Sequence, residues 1–230
     1  MSAASVGAST VSTQETGPGA SPRAALHALH VSPIPYAASR DLLSRCHYLH
    51  SIPGGTKLCF GVFLENRLLG AVTLGVGPFN AHSLVRDASP DDCLTLTRLW
   101  LSDELPANSE SRVIGVLLRS LRKYTSVKFL LAYADPAQGH RGGIYQATGW
   151  LYTGLSSATP LYDLGDGVAR HSRSLAHAFG THSVDHFSKS GLSVTLLPQS
   201  SKHRYVYFLD GAWRPRLLAP ALPYPKKEPQ

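Results

Sequence analysis

The sequence predicts an α+β fold: a mixed, partly parallel sheet flanked by helices, with a basic C-terminal extension. Strand-like and helix-like segments alternate through the middle of the chain, and a strong helical period separates two strand candidates at its centre. The 230 residues suffice for one domain with appendages. With 43% apolar and only 16% charged residues, a wholly disordered chain and a long coiled coil are excluded.

The N-terminal part divides into a tail and the start of a core. Residues 1–24 carry one acid and one base among mostly Ser, Thr, Ala and Gly, and we expect a flexible tail because this composition buries little apolar surface. The core is predicted to span residues 25–167. It begins with an edge strand at 30–34 and a helix at 36–50, whose apolar residues share one face.

The central elements follow in regular order. A turn rich in Pro and Gly leads into a predicted antiparallel hairpin with strands at 58–64 and 68–76. A further strand is predicted at 93–101 and a helix at 109–124, with Ser109 as its N-cap. The loop between residues 80 and 92 is open to two interpretations, a lid or a surface excursion.

Three further elements complete the predicted core. A strand at 129–133 leads into a loop that begins at Asp135, a short helix follows at 142–148, and a strand resumes at 150–153. Asp135 therefore lies just past the end of a central strand, where open sheets place their ligands.

The region 168–230 is expected to complete the fold and carries most of the net positive charge. It has nine Lys and Arg against three Asp and Glu, which is most of the net charge of +7. We predict a helix at 183–189 and two strands, 193–197 and 204–209, around a turn that contains Pro198. This charge favours an anionic partner.

Cysteine usage and hydropathy indicate a cytoplasmic protein. The cysteines at positions 46, 59 and 93 form no C-x-x-C pair, and their odd number suits a reducing compartment. No run of 18 apolar residues occurs and the N-terminus lacks a secretory pattern, so no membrane association is expected. The sequence leaves the oligomeric state open.

The order of elements, with a strand-to-helix crossover over 93–124, resembles the GNAT acyltransferase fold. In that fold the loop before the crossover helix usually reads Q/R-x-x-G-x-G/A and cradles a cofactor pyrophosphate. Here the loop at 105–112 has no glycine, which departs from the pattern. Ser109, Ser111 and the helix amides, together with Arg98 from the strand before the loop, are the candidates for holding an acyl donor such as acetyl-CoA.

Five separated strings look like the Mom family of bacteriophage DNA-modification proteins. They are CHYLH, LTRLW, YADPAQGH, GIYQATGW and KHRYVYFL, beginning at residues 46, 96, 133, 143 and 202. The resemblance runs from about residue 30 to residue 225. It implies a GNAT-like enzyme that converts adenine in phage DNA to N6-carbamoylmethyladenine and so protects the DNA from host restriction.

The same resemblance implies the reacting centre. It places His47, Tyr48, Asp135 and Tyr145 there, with Asp135 as a general base or a metal ligand. His47 and His50 are three residues apart on the predicted helix and so within reach of one site. The resemblance assigns a role to His47, whereas His50 and His140 are interpreted as ordinary hydrogen-bonded surface or core residues. Because plain acyl transfer does not make a bond between N6 and a methylene carbon, we consider a redox metal such as iron, with His47 and Asp135 as its ligands.

The target base and its DNA require further contacts. Reaction at adenine N6 inside a pocket generally needs a flipped base, so stacking aromatics are expected near the site. In the basic region, Lys202, His203, Arg204 and Arg214 alternate with aromatic residues and are predicted to contact double-stranded DNA. Two alternatives stay open: an N-acetyltransferase acting on a small amine or a protein, and a non-catalytic DNA-binding module.

Overall fold

Seven strands form one mixed sheet in the order β1-β2-β3-β4-β5-β10-β6. The computed structural model describes residue 26 and residues 28–158, 160–198 and 201–226, so the predicted tail at 1–24 lies outside the described residues. The sheet strands are β1 His30–Pro33, β2 Thr56–Leu64, β3 Arg67–Gly75, β4 Cys93–Leu101, β5 Phe129–Ala134, β6 Leu151–Leu155 and β10 His203–Phe208.

All neighbouring strands of this sheet are antiparallel except β4 and β5, which are parallel. The crossover between β4 and β5 is the helix α2, Ser109–Tyr124. The α+β prediction with a partly parallel sheet is therefore confirmed, and the element order is the one on which the GNAT-like prediction rested.

Helices cover both faces of the sheet. On one face, α2 buries an apolar stripe that includes Val113, Leu117 and Leu121 against the central strands. On the other face, α1 (Tyr36–Cys46) buries Leu42 and Leu43 against β3. The short helix α3, Gly143–Ala147, lies between β5 and β6 in the chain.

Between β6 and β10 the chain forms a small second unit. A three-stranded sheet contains β7 Leu161–Asp163, β8 Arg170–His171 and β9 Thr195–Leu197, and two helices accompany it, α4 Ser172–Phe179 and α5 Val184–Lys189. Its own core consists of Tyr162, Leu175 and Phe187. The prediction of α5 is correct to one residue, whereas α4 and the second sheet were not predicted.

Three predictions from the sequence need correction. The helix expected over 36–50 ends at Cys46, because the C-cap residue His47 turns to extended backbone with ψ of 138°. In the turn that follows, His50 has a left-handed φ of 47° and its ring donates to the carbonyl of Ser44. Ser109 is not the N-cap: Asn108 holds that position, and the hydroxyl of Ser109 donates to the carbonyl of Pro106.

The third correction concerns the strands expected around Pro198. They do not form a hairpin, since β9 pairs with β7 in the small sheet and β10 enters the main sheet between β5 and β6. The loop at 80–92 is a packed element of the fold, because Val85 is buried against β4 and β5 and bridges to Leu217. No helix in the described part of the chain is long and apolar enough to cross a membrane.

Candidate active site

A gap between β4 and β5 forms the centre of the candidate site. The two parallel strands pair from Cys93 opposite Phe129 to Leu96 opposite Ala132, whereas β4 continues to Leu101. The strands therefore separate at their carboxyl ends. In open sheets this is where ligands bind.

Four predicted residues converge on this gap from three elements. His47 and Tyr48 come from the turn after α1, Arg98 comes from β4 and Asp135 follows β5. Burial raises the pKa of the Tyr48 hydroxyl, and the nearby Asp135 carboxylate raises it further while Arg98 opposes both. The Tyr48 ring also stacks on that of His47, so the four side chains belong to one site.

His47 is buried, with only 5% of its surface exposed. Burial, followed by the positive charges of Arg98 and two neighbouring histidines, lowers its pKa to about 4. The ring is therefore neutral at pH 7. Its Nδ1 accepts a hydrogen bond from the Leu49 N–H at 3.1 Å, so the neutral ring carries its proton on Nε2. His47 is thus a hydrogen-bond donor through Nε2.

Tyr48 is the exposed aromatic ring of the site, with 46% of its surface accessible. One face stacks on His47 with ring centroids 4.4 Å apart. The ring of His140 meets Tyr48 edge-on, with centroids 5.6 Å apart. Tyr48 is therefore held in place by rings on two sides and still presents surface to a ligand.

The guanidinium of Arg98 is half-buried and bonds to backbone oxygens. Its Nε donates to the carbonyl of Ser51 at 2.9 Å and its Nη1 donates to the carbonyl of Thr97 at 2.7 Å. No acidic side chain among the described residues forms an ion pair with Arg98. Because a guanidinium has five N–H donors, Arg98 retains donors and an uncompensated positive charge for an anionic or carbonyl group.

Asp135 is held through both carboxylate oxygens. Oδ1 accepts from the Ala137 N–H at 3.0 Å, which begins the 3₁₀ turn Pro136–Gln138. Oδ2 forms an ion pair with Lys202 Nζ at 3.0 Å. The side chain of Asp135 is only 17% exposed. Lys202, which the sequence placed on a DNA-contacting surface, therefore lies in the candidate site.

Tyr145 lies on α3 and is buried among aromatic rings. Its ring centroid is 5.1 Å from that of Trp150 and 5.3 Å from that of Tyr205. Burial is the main cause that raises the pKa of its hydroxyl, followed by the influence of Tyr48 and Tyr205. The hydroxyl therefore stays protonated and is able to donate a hydrogen bond near Tyr48.

The three residues predicted to hold an acyl donor lie in different places in the structure. A cleft of about 450 Å³ runs between the end of β4 and α3, and Ser111 lines it. Ser109 is buried and its hydroxyl is bonded to Pro106, while Arg98 lies beside Tyr48 instead. The full lining is Leu99, Leu101, Asn108, Glu110, Ser111, Gly143, Ile144 and Ala147.

The donor set does not fit the predicted iron site. Among the residues that the structure describes, no three His, Cys, Asp or Glu side chains come together in a group that could hold a metal ion. The Nδ1 of His47 and both oxygens of Asp135 already have protein partners.

The remaining predicted DNA contacts are spread over the sheet. His203 Nδ1 lies 3.0 Å from the Tyr152 hydroxyl, and Arg204 donates to the side chain and carbonyl of Thr153. Arg214 is exposed in the 3₁₀ helix Gly211–Arg216, which follows the other end of β10. Arg214 therefore lies at the end of the sheet opposite Asp135.

Two members of the site were not predicted from the sequence. His140 is not among the residues that the sequence assigns to the site, and Lys202 is predicted as a DNA contact. Both residues lie close to the carboxyl end of β5. His140 is in the loop after this strand, and Lys202 precedes β10, whose first residue pairs with Ala134. Lys202 could be assigned to the site only if the pairing of β10 with β5 were known.

Comparisons with known proteins agree with the resemblance. The sequence model of the Mom protein family matches residues 28–226. The methylcarbamoylase mom of Escherichia phage Mu is 28% identical over 204 residues, which cover 86% of this chain and 84% of that protein.

Similar solved structures are acetyltransferases. The spermidine N-acetyltransferase from Vibrio cholerae aligns with 80% of this chain and 96% of its own at 8% identity and a TM-score of 0.44. The IAA acetyltransferase from Bacillus cereus aligns with 78% of this chain and 99% of its own at 9% identity and a TM-score of 0.44. The match to the family model, which extends over most of the sequence, shows that this chain is an enzyme of the Mom protein family.

Proposed function

We propose that this enzyme modifies adenine in phage DNA to N6-carbamoylmethyladenine within the host cell and thereby protects the DNA from restriction enzymes. The observation that carries the proposal is Tyr48, a half-exposed ring held between His47 and His140, beside the unpaired charge of Arg98 and the carboxylate of Asp135. The related protein of phage Mu is named a methylcarbamoylase.

The exposed ring of Tyr48 suits a base that has left the double helix. Adenine N6 lies at the edge of the major groove, and enzymes that react there extrude the nucleotide into a pocket. A flipped adenine stacks on an aromatic side chain without needing sequence-specific hydrogen bonds. We infer that Tyr48 is this stacking platform and that Asp135 lies close to N6.

The reaction forms one N–C bond and releases one proton. Adenine N6 attacks the methylene carbon of a carbamoylmethyl donor, whose leaving group departs with the bonding electron pair, and N6 loses a proton. The carboxylate of Asp135 accepts this proton as the general base. Attack of N6 on a thioester carbonyl would instead give an N-acyl product, so the donor must present the methylene carbon.

Other side chains of the site are suited to hold the transferred group. Nε2 of His47 and the hydroxyl of Tyr145 both carry protons at pH 7 and are donors for a carbonyl oxygen. Arg98 adds a fixed positive charge to the same site. Asp135 is then the proton acceptor, whereas His47, Tyr145 and Arg98 are hydrogen-bond donors.

The cleft beside α3 suits the pantetheine arm of coenzyme A, and a donor held there would carry the carbamoylmethyl group on the coenzyme A sulfur through its methylene carbon, so that the thiolate is the leaving group. The walls of the cleft include the apolar side chains of Leu99, Leu101 and Ile144, which suit a pantetheine arm, and Ser111 offers a hydroxyl. Glu110 lies in the first turn of α2 and lines the same cleft, so its negative charge opposes a phosphate at the helix N-terminus. We therefore propose the arm, and not the pyrophosphate, as the part that the cleft holds.

Phosphate contacts are assigned to exposed basic residues. Arg214 is proposed as one of them, at the far end of the sheet from Asp135. His203 and Arg204 both form hydrogen bonds to β6. We propose that they support DNA binding mainly by holding the start of β10 in place.

Mass spectrometry of nucleosides from plasmid DNA tests the proposed function. A bacterium that expresses the chain should yield deoxyadenosine heavier by one carbamoylmethyl group, and Asp135→Ala should abolish it. Asp91→Ala, at an exposed ion pair with Lys57, is the matched control and should leave the product unchanged. Unmodified DNA together with acetylation of small amines would favour the N-acetyltransferase, and DNA binding alone would favour the non-catalytic module.

A further inference from the structure

We propose that Lys202 is a positioning residue that fixes the Asp135 carboxylate, and is not a phosphate contact. The inference rests on the proposed function, because it assigns Lys202 to the reaction that Asp135 performs. Three observations carry it: the ion pair itself, the restraint on the backbone of Lys202, and the position of the pair beside Tyr48.

With the ion pair, both carboxylate oxygens of Asp135 have a partner, each on a different side. Lys202 Nζ lies 3.0 Å from Oδ2, and the Ala137 N–H lies 3.0 Å from Oδ1. The amide belongs to the loop after β5, while the ammonium belongs to the residue directly before β10. A carboxylate bound through both oxygens from different elements has little freedom to rotate, which a proton acceptor at a fixed distance requires.

The backbone of Lys202 is itself clamped. Its N–H donates to the hydroxyl of Ser156 at 3.0 Å, and its carbonyl accepts from the Ser156 N–H at 2.8 Å. The next residue, His203, pairs with Ala134 directly before Asp135. The lysine therefore reaches Asp135 from a fixed point at the neck of the small unit between β6 and β10.

The surroundings of the pair favour a role inside the site. The side chain of Lys202 is 33% exposed and that of Asp135 is 17% exposed, so the pair is partly withdrawn from water, where a charge pair is stronger than at the open surface. Asp135 also acts on Tyr48, the proposed platform. A lysine engaged in this way has little left to offer to a phosphate on the DNA.

Kinetics and DNA binding of Lys202 variants test the inference in the full-length protein. Lys202→Met should lower kcat by about 10- to 100-fold through misplacement of the carboxylate, with KM for DNA nearly unchanged. The salt dependence of DNA binding by this variant should match that of the unsubstituted protein, because no phosphate contact is lost. Lys202→Arg keeps the charge and should restore most of kcat, which a general loss of structure would not allow.

Lys128→Met is the matched control. Lys128 also has a side chain that is 33% exposed and also pairs with an aspartate, Asp210, at 3.7 Å. It lies next to the opposite end of β5, so its loss should leave kcat and salt dependence unchanged. Melting temperatures of the three variants separate unfolding from misplacement.

Two outcomes would overturn the inference. One is a Lys202→Met protein with normal kcat, weaker DNA binding and a salt slope reduced by about 0.9, which is the signature of a lost phosphate contact. The other is full activity of Lys202→Met where Asp135→Ala is inactive, which would leave the proposed function intact and remove only the role of Lys202. Absence of modification by the unsubstituted chain would refute the proposed function instead.

Discussion

The rings of His47 and Tyr48 stack with their centroids 4.4 Å apart, although one residue is buried and its neighbour is half-exposed. The buried ring is anchored by the Leu49 N–H and so fixes the exposed one. This relationship gives the site a rigid aromatic surface.

Replacing Tyr48 tests whether that surface stacks a base. Tyr48→Ala should weaken binding of an adenine-containing single-stranded oligonucleotide by about 1–3 kcal/mol, since stacking of one base is lost. Tyr48→Phe should bind like the unsubstituted protein. Fluorescence anisotropy titration measures both. Tyr36→Ala is the control, because Tyr36 is 47% exposed and lies at the start of α1, the helix that precedes Tyr48. An equal loss in this control would contradict a specific platform.

The low pKa of His47 predicts how stability depends on pH. The unfolded imidazole takes up a proton near its ordinary pKa of 6.5, whereas the folded one does so only near 4. The unfolded state therefore binds more protons between these values, and the free energy of unfolding falls as the pH falls through this window. The full difference corresponds to about 3 kcal/mol.

Urea unfolding of His47→Gln between pH 4 and pH 7 measures this contribution. The variant should lose stability less steeply than the unsubstituted protein as the pH falls. His177→Gln, at an exposed position on α4, is the comparison and should keep the original slope. Identical slopes for all three proteins would show that His47 is not buried as a neutral ring.

Tyr145 is expected to act as a hydrogen-bond donor. Because burial raises the pKa of its hydroxyl, the activity should not depend on deprotonation of Tyr145 up to pH 10. Tyr145→Phe should retain the melting temperature, since the packing on Trp150 and Tyr205 is kept, but it should lower kcat by about tenfold or more. Tyr124→Phe, on an exposed ring at the end of α2, should leave kcat unchanged.

Glu110 is expected to weaken the binding of phosphorylated cofactors. Glu110→Gln removes a negative charge from the first turn of α2 and from the wall of the cleft. Affinity for coenzyme A should rise by about 0.3–1 kcal/mol, the usual effect of one charge at a helix terminus. Isothermal titration calorimetry is the measurement, and Glu65→Gln, at an exposed turn between β2 and β3, should show no gain.

The sequence predicted best the elements whose period is strong. The bounds of β4 and α2 agree with the structure because each segment is rich in apolar residues at strand or helix spacing. The end of α1 was placed too late since Leu49 continues the helical pattern, yet its side chain is 45% exposed. The spacing of apolar residues does not show where the backbone leaves the helix, which here happens at His47.

The small unit between β6 and β10 carries a weaker signal. Its strands are two or three residues long, and such lengths contain no measurable alternation. Its helix α4 begins after a two-residue strand, without a side-chain cap. These elements are fixed by packing around Leu175 and Phe187, a property of the folded chain.

The candidate site was predicted in part through family resemblance. It named His47, Tyr48, Asp135 and Tyr145, and the structure brings the first three together with Arg98 and places Tyr145 beside them. Lys202 was assigned elsewhere because the sequence does not tell that β10 pairs with β5 across more than sixty intervening residues.

The late arrival of β10 determines when the enzyme becomes active during translation. β5 and β6 leave the ribosome first, and the place between them is filled only after the following unit has been made. Until then the nascent polypeptide has an incomplete sheet and lacks the lysine that pairs with Asp135. Products that terminate before Lys202 are therefore expected to lack both the completed sheet and the ion pair on Asp135.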